Sequence, residues 1–237
     1  MDFNGKNILV VGGSSGIGLN LVKILASQGA QVYNASRTES TDWPDGLIHI
    51  PIDVLGNLDL IAEKLPEKLD GLVYAVGSIN LKPFSRYTEE DFITDYKLNV
   101  TGAARIIQLT YRSLRNSGAA SIVLLSSVAA KTGMPYHASI AAAKGGVESL
   151  ALSLAAEFAS QNIRVNVVAP SLTDTSLAGN LLNTPEKREA SAKRHPLGRI
   201  GKPEDIASAI SFLLSEESGW ISGQILGIDG GMGNLKT

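Results

Sequence analysis

The sequence predicts an α/β fold: one doubly wound domain over residues 1–237, a seven-stranded parallel sheet with helices on both faces. Three observations predict it. Short β-branched runs recur along the chain and alternate with longer stretches of helical periodicity. Several of these runs are apolar almost throughout, as strands covered on both faces must be. No repeat, low-complexity tract or Pro/Ser-rich linker interrupts the alternation. Strand and helix alternating at this spacing require parallel pairing through right-handed crossovers.

The first strand is read at 7–11 and the first helix at 16–28. Between them runs Val10-Val11-Gly12-Gly13-Ser14-Ser15-Gly16-Ile17-Gly18. Gly12 permits a tight turn, Gly16 lets backbone approach a diphosphate, and Gly18 lets the helix pack on the sheet. The free N–H groups and dipole of the helix N-terminus favour negative charge there. Gly12, Ser14, Ser15, Gly16, Ile17 and Gly18 are therefore the expected contacts to a dinucleotide; an ordinary glycine-rich turn is the bland alternative. The second strand, 31–35, leads into Ser36 and Arg37. A carboxylate here would hold ribose hydroxyls and repel a 2′-phosphate, whereas a neutral donor followed by a fixed cation can grip that phosphate. NADP(H) is expected in preference to NAD(H), unless Arg37 is only a solvated surface residue. The third strand, 47–50, is followed by Asp53 and Val54, which either hold the adenine edge or form a strand-end turn.

Further on come a helix at 58–65, a strand at 71–76, a long helix at 88–117, a strand at 121–125, a second long helix at 136–160, and strands at 164–168 and 224–228. A last helix occupies 203–214. The stretch 171–201 is polar and broken by Gly179, Pro185, Pro196 and Gly198, with room for one short helix. It leaves the C-terminal end of a strand, where ligands bind in such sheets, and is expected to be a mobile substrate loop.

Composition narrows the function classes. Apolar residues make up 44% and charged residues 19%, with a formal net charge of −2. That balance suits a globule with a sizeable core and gives no polyanion-binding face, so no nucleic-acid partner is expected. The absence of cysteine excludes disulfides, thiolate metal sites and cysteine nucleophiles, and no metal site is expected. No run of 18 apolar residues and no basic segment leading into an apolar one is present, so neither membrane insertion nor secretion is expected, and the default location is the cytoplasm.

With these motifs placed, the chain resembles the short-chain dehydrogenase/reductase family over nearly its whole length. Gly12-x-x-x-Gly16-x-Gly18 matches the family's glycine turn, and Asn99 in Lys97-Leu98-Asn99-Val100 matches the asparagine that bends a central helix and holds a proton-relay water. Ser127 in Leu125-Ser126-Ser127 matches the catalytic serine, and Lys144 the lysine of the Y-x-x-x-K pair. Pro170-Ser171-Leu172-Thr173-Asp174-Thr175 is similar to the segment that holds the nicotinamide carboxamide. Arg199-x-Gly201-Lys202-Pro203-Glu204-Asp205 and Gly227-Ile228-Asp229-Gly230-Gly231 are similar to the C-terminal region of 3-oxoacyl-ACP reductase-like members. The resemblance implies a Rossmann domain, a nicotinamide dinucleotide touching Ala75, Gly77, Lys144, Pro170, Ser171, Thr173 and Thr175, a small-molecule substrate, and a homodimer or homotetramer formed through the two long helices.

Three positions depart from the pattern. Val11 replaces the usual threonine, Tyr74-Ala75-Val76-Gly77 stands for N-N-A-G, and Ile140 occupies the position of the catalytic tyrosine. Isoleucine donates no proton, and hydride transfer to a carbonyl needs one. Lys144 working through a water near the Asn99 carbonyl is one replacement. His137, two helical turns before Lys144 and about 10 Å along the axis, is another; Tyr136 and His195 are weaker candidates. Three readings follow: an oxidoreductase with a non-standard proton donor, a catalytically silent NADP-binding module, and a non-redox enzyme on the same scaffold.

Overall fold

In the computed structural model, which describes residues 1–236, seven parallel strands form one sheet in the order β3-β2-β1-β4-β5-β6-β7. The strands are β1 (Asn7–Val11), β2 (Gln31–Ser36), β3 (Ile48–Pro51), β4 (Gly71–Tyr74), β5 (Ala120–Leu125), β6 (Ile163–Pro170) and β7 (Ile225–Ile228). Every boundary lies within two residues of its expected position. The order reverses between β1 and β4, which opens a crevice at the carboxyl ends of the strands.

Side-chain alternation along β1 shows how the two layers are filled. Ile8 and Val10 point to one face, where α1 (Gly16–Ser27) and α7 (Pro203–Leu214) bury Leu21, Val22, Leu25, Ile206 and Ile210. Leu9 and Val11 point to the other, against Ile61 of α2 (Asp59–Lys64), Ile106 and Leu114 of α4 (Gly102–Ser117), and Val147 and Ala151 of α5 (Ala138–Phe158).

Three expectations on the elements change. The span 88–117 is not one uniform helix: α3 (Glu89–Tyr96), capped by Thr88 and Asp91, passes through a π turn at Lys97–Thr101 before α4 begins. The span 136–160 begins later, because Tyr136 turns through a left-handed φ of 69° and His137 is the N-cap of α5. Tyr136 is thus outside the helix. The segment 171–201 holds two short helices rather than one, a 3₁₀ helix at Ser176–Leu181 and α6 (Pro185–Ala192), and its ends are tied together by a bridge between Thr173 and Gly201.

Candidate active site

The π turn is where the site begins. Widening a helix by one residue frees carbonyls from the i→i−4 ladder. Asn99 Nδ2 donates to the Asp95 carbonyl at 2.8 Å, Thr101 Oγ1 to that of Lys97 at 3.0 Å, and the Tyr74 hydroxyl to that of Leu98 at 2.6 Å. Gly102 leaves room for the Tyr74 phenol. The unusual Tyr74 therefore braces the bend, its proton committed to the Leu98 carbonyl, and burial pushes its hydroxyl well above the ordinary tyrosine range. With its amide nitrogen committed, Asn99 turns its Oδ1 into the interior, where that buried oxygen has no partner among the described residues.

Lys144 of α5 reaches the same space. Its Nζ donates to the Leu125 carbonyl at 2.8 Å, and it is 7% exposed. Burial lowers its pKa to about 8, against the opposing pull of the Asp95 carboxylate. A Cβ at Gly77 would lie 3.4 Å from Nζ and 3.6 Å from Asn99 Oδ1, so glycine there keeps the two polar atoms facing one gap. Ser127 follows β5 and caps the short helix Val128–Ala130, its Oγ accepting from the Ala129 N–H at 3.2 Å. Ile140, 6% exposed, lies in the same wall one helical turn before Lys144.

Lys144, Ser127 and Ile140 line a cavity of about 580 Å³ at the carboxyl end of the sheet, together with Ile17, Ala75, Gly77, Pro170, Ser171, Thr173 and Thr175. His137 lines it too, with Nδ1 held by the Pro135 carbonyl at 2.6 Å. His195 needs no loop motion to arrive: it is buried in the wall, Nδ1 on the Ser191 carbonyl at 2.8 Å and Nε2 on Ser171 Oγ at 2.6 Å, so both ring nitrogens are occupied.

The glycine turn fits a diphosphate. Gly12 and Gly16 have φ of 95° and 54°, and a Cβ at Gly16 would press on Thr175. Gly18 abuts the Gly12 carbonyl so closely that no Cβ fits. Ser15 is the N-cap of α1 but makes no side-chain cap bond, leaving the helix entrance to a ligand. Ser36 and Arg37 lie at the carboxyl end of β2, outside the cavity. Ser36 Oγ donates to the Thr38 carbonyl, while the Arg37 guanidinium is exposed and makes no hydrogen bond or ion pair among the described residues. Asp53 Oδ1 accepts from the Leu55 N–H at 2.9 Å, the bond of a strand-end turn, beside a buried Val54.

Two features carried no signal in the sequence. Asn34 Oδ1 accepts from the Gly13 N–H and Trp43 Nε1 donates to the Gly13 carbonyl, both at 2.8 Å, so a strand residue and a loop tryptophan fix the two peptides flanking Gly13 in the turn. Trp43 in turn packs on His49, their ring centroids 4.8 Å apart. The second is Asp95, 2% exposed, which accepts from Ser78 Oγ at 2.7 Å and Ser139 Oγ at 2.6 Å. Asp95→Ala is expected to cost about 1–3 kcal/mol, chiefly from the Ser78 hydroxyl, since Ser139 keeps the Asp91 carbonyl at 3.1 Å. It should also move the Lys144 titration further down by removing the charge that supports its ammonium. Thermal denaturation and NMR titration of the lysine read the two effects separately; an unmoved titration would deny the coupling.

A parallel sheet with this switch point, a glycine turn at its first helix, and a serine and lysine converging beside a helix bent at asparagine define a short-chain dehydrogenase/reductase, and the chain belongs to that family. The family model described as Enoyl-(Acyl carrier protein) reductase matches residues 52–233. A tropinone reductase homolog of Arabidopsis thaliana is 35% identical, covering 96% of this chain and 93% of its own length. The 3-oxoacyl-[acyl-carrier-protein] reductase FabG of Thermotoga maritima is 34% identical over 98% and 99%. Among solved structures, the aldohexose dehydrogenase of Thermoplasma acidophilum superposes with a TM-score of 0.89 at 27% identity, covering 99% of this chain and 97% of that one. ElxO with NADP bound superposes with a TM-score of 0.88 at 25% identity, over 96% and 98%.

Proposed function

We propose that the chain is an NADP(H)-dependent oxidoreductase that reduces a carbonyl or conjugated small molecule, with Lys144 in place of the missing tyrosine as the source of the proton. The observation that carries this is Ile140 in the cavity wall beside a lysine brought to about 8 and an unpartnered Asn99 Oδ1. The bound cofactor supplies hydride. The glycine turn would hold its diphosphate, Arg37 its 2′-phosphate, the Ser36 hydroxyl proton being spent on the Thr38 carbonyl, and Pro170, Ser171, Thr173 and Thr175 its nicotinamide end. Ser127 polarises the substrate oxygen. Lys144 holds the proton at Nζ and passes it through a water accepted by Asn99 Oδ1, while the apolar wall excludes bulk solvent. The free guanidinium of Arg37 and the NADP-bound ElxO relative support NADP(H) over NAD(H).

His137 is the second reading, favoured by its place in the cavity with Nε2 uncommitted. Leu109 on α4 and Leu152 on α5, both exposed, support a homodimer or homotetramer. We place it in the cytoplasm, with neither a membrane nor a nucleic acid as partner; no helix among the described residues is long and apolar enough to cross a bilayer.

The test is NADPH absorbance with a panel of ketones, quinones and enones. Wild type should turn over, His137→Ala should leave the rate within about threefold, and Ile140→Tyr should raise it, since a well-placed acid contributes about 10²–10⁴-fold. Loss of turnover in His137→Ala would transfer the role to His137, and activity in Ile140→Tyr alone would favour a silent binding module. Arg37→Ala should weaken NADPH by at least about tenfold, the scale of a lost charge-assisted bond, and leave NADH unchanged in a fluorescence titration. Equal effects on both would argue against a 2′-phosphate site.

A further inference from the structure

The helix α6 turns one face to the cavity. Lys187, Ala190, Ser191 and, just past the helix end, Arg194 all line it, at the i, i+3, i+4, i+7 spacing of a single helical stripe. The stripe is cationic at both ends and small in the middle.

Pairing separates these two cations from their neighbours. Within 171–201, Arg188 is bound to Asp174 at 2.7 Å and Lys193 to Glu189 at 2.7 Å, and Arg199 is bound to Asp205. Lys187 and Arg194 have no carboxylate partner among the described residues. Lys187 Nζ donates to Asn183 Oδ1 at 2.9 Å and the Asn180 carbonyl at 3.3 Å, and Arg194 Nη2 to Ser191 Oγ at 3.1 Å. No Asp or Glu is among the described residues that line the cavity, whose other walls are largely apolar. The mouth thus carries two positive charges with nothing to neutralise them.

We infer that the cavity takes a carboxylate-bearing carbonyl compound, its apolar body inside and its carboxylate held at the mouth by Lys187 and Arg194. This rests on the reading of the cavity as a carbonyl-substrate site. Both cations are exposed, so the attraction acts in high dielectric and must weaken with salt.

The test is calorimetric titration of the NADP-loaded protein with straight-chain oxo carboxylates, two to six carbons separating ketone and acid, each against its methyl ester. At least one carboxylate should bind about tenfold or more tightly than its ester at low salt, the scale of a charge-assisted contact, and lose most of that preference at high salt. The double variant Lys187→Gln/Arg194→Gln should abolish the preference while keeping ester binding and NADPH affinity. Equal binding of acid and ester at every length, a preference that survives in the double variant, or a loss confined to NADPH affinity would each overturn the inference. NADPH oxidation with the same compounds is a separate measurement: acids bound tightly but never reduced would sink the oxidoreductase reading and leave the anion site standing.

Discussion

Lys144→Met should lower NADPH-dependent turnover by about two to four orders of magnitude, the range spanned by loss of a general acid. Methionine is close to lysine in length and suits the buried channel along α5. Its thioether neither holds a proton nor donates to the Leu125 carbonyl that Nζ now occupies. Stability should change far less than rate. One buried carbonyl loses its donor, which costs about 1–3 kcal/mol, but a charge that burial disfavours is also removed. The pH profile carries the sharper signature. Burial lowers the folded-state pKa of Lys144 from 10.5 to about 8. The donor is therefore charged below that value and loses its proton as pH rises through it, so reduction should be fast on the acid side of about 8 and fall above. Lys144→Arg, charged throughout, should erase that alkaline limb even where its rate is poor. A Lys144→Met enzyme within threefold of wild type, or a wild-type limb absent near this pH, would remove Lys144 from the proton path.

Gly18→Ala should abolish dinucleotide binding, raising the dissociation constant at least about 100-fold, and cost about 1–3 kcal/mol of stability as an overpacked contact. The added Cβ would land on the Gly12 carbonyl oxygen, with the Gly12 carbonyl carbon and Gly13 Cα next in reach. All three are backbone of the phosphate turn, and no rotamer change can move them aside. Relief must come from shifting either α1 or the turn, and both shape the anion cradle. Gly145→Ala is the matched control: a Cβ there meets nothing within 4 Å, and the helix should gain about 1 kcal/mol from the better propensity of alanine. Nucleotide titration and thermal denaturation of both variants check the pair. Retention of NADPH affinity within fivefold in Gly18→Ala would mean that the turn tolerates what its geometry forbids.

How much of this was legible in the sequence depended on whether the signal was local. The strands showed themselves because buried parallel strands are apolar on both faces, and the glycine turn because its spacing lies within one stretch of chain. Asn99 and Lys144 were placed by short motifs, and their Oδ1 and Nζ face one gap beside Gly77; Ser127, placed the same way, lines the cavity with Lys144. What stayed hidden was assembled from distant positions. Asp95 gains its meaning from Ser78, 17 residues before it, and Ser139, 44 after it, and no periodicity links them. The role of Tyr74 depended on a π turn that helical patterning cannot distinguish from a regular helix. Tyr136 was misplaced for a related reason: Pro135 favours a helical first turn, yet the chain passes through a left-handed residue before α5 begins. His195, a weaker donor candidate on the loop 171–201, is already committed to Ser171 and Ser191, contacts that no local pattern announces.

The indole that steadies Gly13 also gives the protein an internal optical gauge. The chain has two tryptophans. Trp43 is hydrogen-bonded to the peptide over which a diphosphate would settle, whereas Trp220 stands wholly in solvent. Emission from the first should respond when a nucleotide loads the turn, and emission from the second should stay constant. Their ratio would report occupancy without a label, a substrate or a catalytic event, so ligand loading can be followed even in variants whose chemistry has been removed.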